Sequence, residues 1–132
     1  MPLDGQQLKP RDVARLLWDN GWVNADNLMV MLAVCQAESA LFTEAWNLNT
    51  NGSYDYGIFQ LNSAKLQGSQ LDAFREMAFD PKQAVLRARS LYNERKFQPW
   101  YAYQNGAYKA YIPQACLGVQ NMLRVLHGLD PI

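Results

Sequence analysis

The stretch that decides the reading runs from Glu38 to Ser63, ESALFTEAWNLNTNGSYDYGIFQLNS. Its second half consists of short pieces rich in Tyr, Ile, Phe and Leu, interrupted by Asn51-Gly52. Asn-Gly between β-favouring pieces marks a tight turn, so Asn47 to Asn62 is expected to form a hairpin or a small three-stranded antiparallel sheet. Immediately upstream, either Asn24 or Asp26 can cap a helix whose apolar positions Leu28, Met31, Leu32 and Cys35 carry it to about Ser39. Counting back by helical turns from Glu38 reaches Cys35, Val34 and Met31, so this carboxyl ends a largely apolar face and is expected to be partly buried. Burial and the negative end of the helix dipole both disfavour its charged form, which suits a general acid near neutral pH.

Outward from this stretch the signals are mainly helical. Lys9-Pro10 opens a helix with Val13, Leu16 and Leu17 on one side, and Asn20-Gly21 closes it. Asp80-Pro81 is a cap followed by a first-turn proline for another helix, carrying Ala84, Ala88 and Leu91. Weaker helical patterns cover 69–78, 101–110 and 114–126. The fold class that follows is α+β, mainly helical, with a small antiparallel sheet. A chain of 132 residues, 49% hydrophobic, is expected to fold as one domain around one core, to which Trp18, Trp22, Tyr101 and Tyr108 are assigned.

Composition excludes several classes of partner. Twelve basic and twelve acidic residues cancel, and no run of like charge suggests a nucleic-acid footprint or a polybasic membrane patch. A partner is therefore expected to be found by shape and hydrogen bonds. The longest apolar run, around Leu28 to Cys35, is too short for membrane insertion, and the opening MPLDGQQLKP lacks the basic-then-apolar order of a signal peptide. Action outside a cytoplasm would need another delivery route. Cys35 and Cys116 stand 81 positions apart and read as two buried free thiols. His127, the single histidine, has no cysteine or carboxylate at ligand spacing. The Asn47, Asn49, Asn51, Gly52 spacing imitates the start of an EF-hand loop, but its ligands would be neutral amides and Ile58 stands where the bidentate Glu is needed. No metal and no cofactor are expected.

Asp55 follows Glu38 by seventeen residues, among Asn47, Asn49, Ser53 and Tyr56, a polar surround that suits an ionised carboxylate. The pattern Glu38-Ser39, Ala45, Asn47, Asn49, Gly52-Ser53 and the unbroken DYGIFQLNS from Asp55 to Ser63 closely resembles the active-site region of the lysozyme superfamily, both animal C-type lysozymes and bacterial and phage SLT-type lytic transglycosylases. The resemblance implies a lysozyme-like fold, with a cleft between helices and sheet that holds the glycan strands of peptidoglycan. It implies that Glu38 is the general acid and Asp55 the second carboxylate of the C-type enzymes. Gln60 and Asn62 match residues beside the N-acetyl pocket, and Asn49 and Tyr56 join the substrate-binding set. A looser resemblance covers QPWYAYQNGAY at 98–108, a hybrid of C-type and SLT segments. It implies that Trp100 lies against the apolar side of Glu38 and that Tyr103 and Gln104 line the cleft.

Two departures bear on the branch. C-type lysozymes carry four disulfides and are usually strongly cationic, whereas this chain has two cysteines and no net charge. That points to a bacterial or phage member, acting on the wall by itself or within a larger virion or wall-associated assembly. Three functions stay open. One is a muramidase hydrolysing the β-1,4 bond between N-acetylmuramic acid and N-acetylglucosamine with Glu38 and Asp55. Another is a lytic transglycosylase forming 1,6-anhydromuramic ends with Glu38 as its one catalytic carboxyl. The third is a non-catalytic glycan-binding module on the same fold.

Overall fold

The computed structural model describes residues 2–132. Helix α1 (Pro10–Asp19) leads into α2 (Ala25–Ser39), followed by β1 (Trp46–Leu48), β2 (Tyr54–Tyr56) and β3 (Leu61–Asn62). Helices α3 (Gly68–Phe79) and α4 (Pro81–Arg95), the short α5 (Tyr101–Gln104), a 3-10 helix (Ala107–Tyr111) and α6 (Ile112–Leu126) complete the order. The 69–78 pattern thus belongs to α3, the 114–126 pattern to α6, and the 101–110 segment is split between α5 and the 3-10 helix. Gly106, at φ +79°, lies between those two pieces.

Helix α2 is the axis of the molecule. Leu28, Met31, Leu32, Ala33, Val34, Cys35, Gln36 and Ser39 are all buried, so it is enclosed on every side, as a helix apolar around its whole circumference must be. Helices α1, α5, α6 and the 3-10 helix pack around it. The sequence cap is in place, with Asn24 Oδ1 accepting the Asn27 N–H at 3.1 Å. Gly118 of α6 permits a close approach to α1 and α2: a Cβ there would stand 2.8 Å from Pro10 Cβ and 3.0 Å from Leu32 Cδ2. Trp22 is fully buried and tilts against Tyr92 at 5.3 Å, whereas Trp18 is only partly buried at the edge of the core.

The sheet is antiparallel in the order β1-β2-β3. Trp46 pairs with Tyr56, Asn47 with Asp55, Leu48 with Tyr54, and Asp55 in turn with Asn62. Because side chains alternate along a strand, this register sets Asn47, Asp55 and Asn62 on one face and Trp46, Tyr54 and Tyr56 on the other. The Asn51-Gly52 turn closes the first hairpin, with Gly52 at φ +86° and its N–H donating to Asn49 O at 2.9 Å. Asp80 caps α4 as expected, accepting the Lys82 N–H at 3.0 Å and the Gln83 amide at 2.9 Å. These two donors hold its carboxyl below the usual carboxylate range, the Gln83 bond first.

An N-terminal arm was not legible in the sequence. Residues 2–8 run along the segment that follows α2, through Leu8 N–H to Leu41 O, Thr43 N–H to Gln6 O and Glu44 N–H to Asp4 O. One expectation about the thiols is corrected: both are free and Cys35 is buried, but Cys116 is exposed. Cys116 follows buried Ala115 on α6, and an amphipathic helix turns adjacent positions to different sides.

Gly57 joins the sheet to α3. It sits at φ +81°, and an added Cβ would lie 2.1 Å from Ala78 O. Its N–H donates to Ala45 O at 2.7 Å, so the backbone has no room to retreat. Gly57→Ala is expected to cost about 3 kcal/mol, from a left-handed conformation forced on a Cβ plus the clash with Ala78. Urea denaturation with an unchanged m-value and a lower midpoint is the expected result; a midpoint equal to that of the parent would contradict the close packing.

Candidate active site

Glu38 occupies the last turn of α2, and because that helix is enclosed, its carboxyl is half-buried. Oε1 accepts the Ala102 N–H at 2.8 Å. Burial holds the carboxyl above the usual glutamate range; the Ala102 bond opposes this and the negative charge of Asp55 adds to it. Cys35, one turn back, is fully buried, and burial together with the Glu38 charge pushes its thiol far up, which makes it unreactive. The next residue, Ser39, is also fully buried. Its hydroxyl lies 2.9 Å from both Cys35 O and Ile58 O and accepts the Leu41 N–H at 3.1 Å. It thereby joins the end of α2 to the chain leaving β2.

Asp55 has the opposite environment. Asn49 donates to Oδ2 at 3.0 Å, Asn62 to Oδ1 at 2.9 Å, and Asn47 to Oδ2 at 3.5 Å. The amides of Asn49 and Asn62 each place their second hydrogen on Ser53 Oγ, at 3.2 and 2.9 Å. Ser53 is buried and spends its own hydrogen on Asn51 Oδ1 at 2.7 Å. Every donor in this network is oriented by another bond, so the amides are held with their hydrogens on the carboxylate.

The two carboxyls line one cavity of about 230 Å³ together with Gln60, Asn62 and Trp100. Gln60 is held by strain and hydrogen bonds: it sits at φ +48°, and its amide donates to Ala45 O at 3.1 Å and Gly57 O at 2.9 Å. Trp100 is buried, with its indole N–H donating to Phe59 O at 3.0 Å. Residues that sequence reasoning missed complete the wall: Phe74 of α3, and Arg87 and Arg95 of α4, with Leu91 between them. Their fourfold spacing, 87, 91 and 95, was the one signal available for them.

A family model for a lysozyme-like domain matches residues 17–102. The chain belongs to that family. Among curated proteins it is 46% identical over 66 residues to lysozyme C of Scophthalmus maximus, a match covering 48% of this chain and 46% of that protein. The chain thus spans about half the length of that relative. It is 31% identical over 101 residues to lysozyme c-1 of Anopheles gambiae, covering 71% of each. A solved lysozyme from Litopenaeus vannamei shares the fold at a TM-score of 0.62 and 22% identity, covering 84% of this chain and 98% of the other.

Within this lysozyme-like domain, not all of the expected residues gather at the cavity. Asn49 reaches it only through Asp55. Tyr56 is turned away: it is buried on the opposite face of the sheet, stacked on Tyr54 at 5.4 Å and beside a separate cavity of about 380 Å³. Strand alternation forces this, since its neighbour Asp55 faces the site. Tyr103 is stacked between Phe97 and Tyr108, at 5.0 and 5.1 Å, and lies outside the cavity lining. Gln104 is exposed, its amide donating to Gln98 O. The core assignment of Tyr101 is corrected: it is 71% exposed and lines the cavity, because it opens α5 on the side away from buried Ala102. Tyr108 is partly buried against the core.

Because folding raises the Glu38 pKa, the folded protein holds this proton more tightly than the unfolded chain does. Its contribution to stability is fully present below the unfolded glutamate value and is lost as pH rises through the folded one. Glu38→Gln keeps an acceptor for Ala102 and removes the buried charge. Its thermal midpoint is expected to exceed the parent's at neutral pH and to converge with it below about pH 4. Equal midpoints throughout would contradict a desolvated carboxyl. In Asp55→Asn, carbon-detected NMR should find the Glu38 titration moved to lower pH, since one of the two influences raising it is gone.

Proposed function

We propose that this domain is a peptidoglycan-cleaving muramidase, hydrolysing the β-1,4 bond between N-acetylmuramic acid and N-acetylglucosamine. The observation that carries the reading is the contrast between the two carboxyls of one cavity. Glu38 is desolvated, which raises its pKa above the usual glutamate range, whereas Asp55 is surrounded by amide donors. Membership of the lysozyme-like family supports glycan cleavage in general, and likeness to proteins named lysozymes supports peptidoglycan as the substrate class.

In this mechanism Glu38 gives its proton to the glycosidic oxygen as the C1–O bond breaks. Asp55 stabilises or captures the glycosyl centre, with its orientation fixed beforehand by Asn47, Asn49 and Asn62. Water then adds at C1, and its proton returns to Glu38, leaving a reducing muramic acid end. Gln60 and Asn62 would meet the N-acetyl group, and Trp100 keeps the Glu38 side dry. The proposed place of action is the cell wall. The second reading, transglycosylation, needs Glu38 alone: the muramic acid C6 hydroxyl attacks C1, its proton passes to Glu38, and a 1,6-anhydro end forms. The amide network around Asp55 favours the hydrolase, because a turn-forming aspartate has no need of three oriented donors.

Glu38→Gln is expected to lower the rate of wall lysis by at least ~10²-fold while leaving the fold intact. Activity should fall on the alkaline side as Glu38 loses its proton, at a pH above the ordinary glutamate range. Mass spectrometry of digested wall glycan decides between the readings, since the anhydro product is lighter by one water. Reducing ends are expected, with Asp55→Asn severely impaired. Anhydro ends from a parent enzyme matched by an active Asp55→Asn would overturn the hydrolase, and a folded parent that cleaves no wall glycan would leave a binding module.

A further inference from the structure

The cavity contains two cations that the cleavage chemistry leaves unused. Arg87 and Arg95 stand two helical steps of four apart on α4, with Leu91 between them, and all three line the same cavity as Glu38 and Asp55. The other side of α4, carrying Ala84, Val85, Ala88 and Tyr92, is buried in the core, so the helix cannot rotate to take the arginines elsewhere. Among the described residues the ion pairs are Arg15 with Asp19 and Arg75 with Asp72; neither Arg87 nor Arg95 has a carboxylate partner. Nor do they hydrogen-bond to the two carboxyls of the cavity, whose donors are Asn47, Asn49 and Asn62 for Asp55 and the Ala102 N–H for Glu38. Both side chains are exposed, and their forks of donors are free.

A guanidinium fork matches a carboxylate in geometry as well as in charge. A neutral polymer of N-acetylglucosamine offers no such acceptor. A muramic acid residue does, on its lactyl ether when that is unsubstituted, or on the stem peptide when it is not. Resting on the muramidase reading above, we propose that Arg87 and Arg95 form a carboxylate-binding wall of the cleft, which selects acidic wall glycan over neutral β-1,4-linked N-acetylglucosamine. Zero net charge had suggested a partner found by shape and hydrogen bonds alone; the local pair adds charge where the substrate lies. Since the arginines are exposed, their attraction to a carboxylate is screened by salt.

The test measures binding in a Glu38→Gln background, so that turnover does not enter. Calorimetry compares chitotetraose with a tetrasaccharide of alternating N-acetylglucosamine and N-acetylmuramic acid, at salt of about 0.02 M and about 0.5 M. Loss of one charge-assisted contact should cost about tenfold, so Arg87→Gln/Arg95→Gln is expected to reduce the preference for the acidic sugar by at least that factor and to flatten its salt dependence. Arg87→Lys/Arg95→Lys should keep the salt dependence and lose part of the preference. Methyl esterification of the lactyl groups should remove the preference in the parent, and a peptide-bearing tetrasaccharide shows whether the stem carboxylates replace them. Arg15→Gln, on α1 and outside the cavity lining, serves as the control for a lost positive charge. A folded double variant that keeps the full preference, or an ester bound as tightly as the acid, overturns the proposal. Failure of the muramidase reading would appear separately, as absence of cleavage by the parent with these binding differences intact.

Discussion

Helix α2 is buried on every side, and the site depends on that enclosure. A helix with no solvent face must end inside the protein, so the polar residues of its last turn are drawn into the interior with it. Buried polar groups are tolerated only when hydrogen-bonded. Ser39 meets this demand with bonds to Cys35, Ile58 and Leu41, and Glu38 meets it with the Ala102 N–H and an opening onto the cavity. The chain leaves the helix abruptly, with Ala40 and Leu41 at φ +51° and +65°. Two successive non-glycine residues in the left-handed region are costly, and the bonds from Ser39 and the N-terminal arm hold them there.

The sheet provides a second constraint, that of register. Pairing Asn47 with Asp55 and Asp55 with Asn62 places an amide on each side of one carboxylate. A slip by one residue would replace this polar row with Trp46, Tyr54 and Tyr56. Ser53 ties the arrangement together, because its single oxygen accepts from both Asn49 and Asn62 and leaves each amide one hydrogen for Asp55. The two carboxyls therefore owe their different characters to different structural causes. Glu38 is set by burial at a helix end, Asp55 by alternation in a strand.

Five separate stretches meet at the cavity: the end of α2, the sheet, α3, α4, and the turn into α5. Their convergence sets stability against the acid role proposed for Glu38. The burial that would suit this carboxyl to the proposed proton transfer is the same burial that destabilises its ionised form. Such conflicts are expected where a fold carries chemistry, since a site tuned for reaction departs from the most stable choice at that position.

The sequence by itself determined whatever depends on neighbours along the chain. The caps at Asn24 and Asp80, the prolines at helix starts, the Asn51-Gly52 turn, the partial burial of Glu38 and the polar company of Asp55 are all local, set by helical and strand periodicity and turn chemistry. Tertiary structure decided what depends on which face meets which. Tyr56 and Tyr101 have the same aromatic chemistry, yet one is turned behind the sheet and the other stands in the cavity, because orientation follows from the packing partner and not from the residue type. Tyr103 was drawn into a stack with Phe97 and Tyr108, and Cys116 came to the surface of α6. The Ala102 N–H could not be read in advance at all, since every non-proline residue carries one and only the approach of α5 to the end of α2, 64 residues away in sequence, gives this one a role. Arg87 and Arg95 were ordinary exposed arginines until α4 packed its alanine face inward and left them along the cavity.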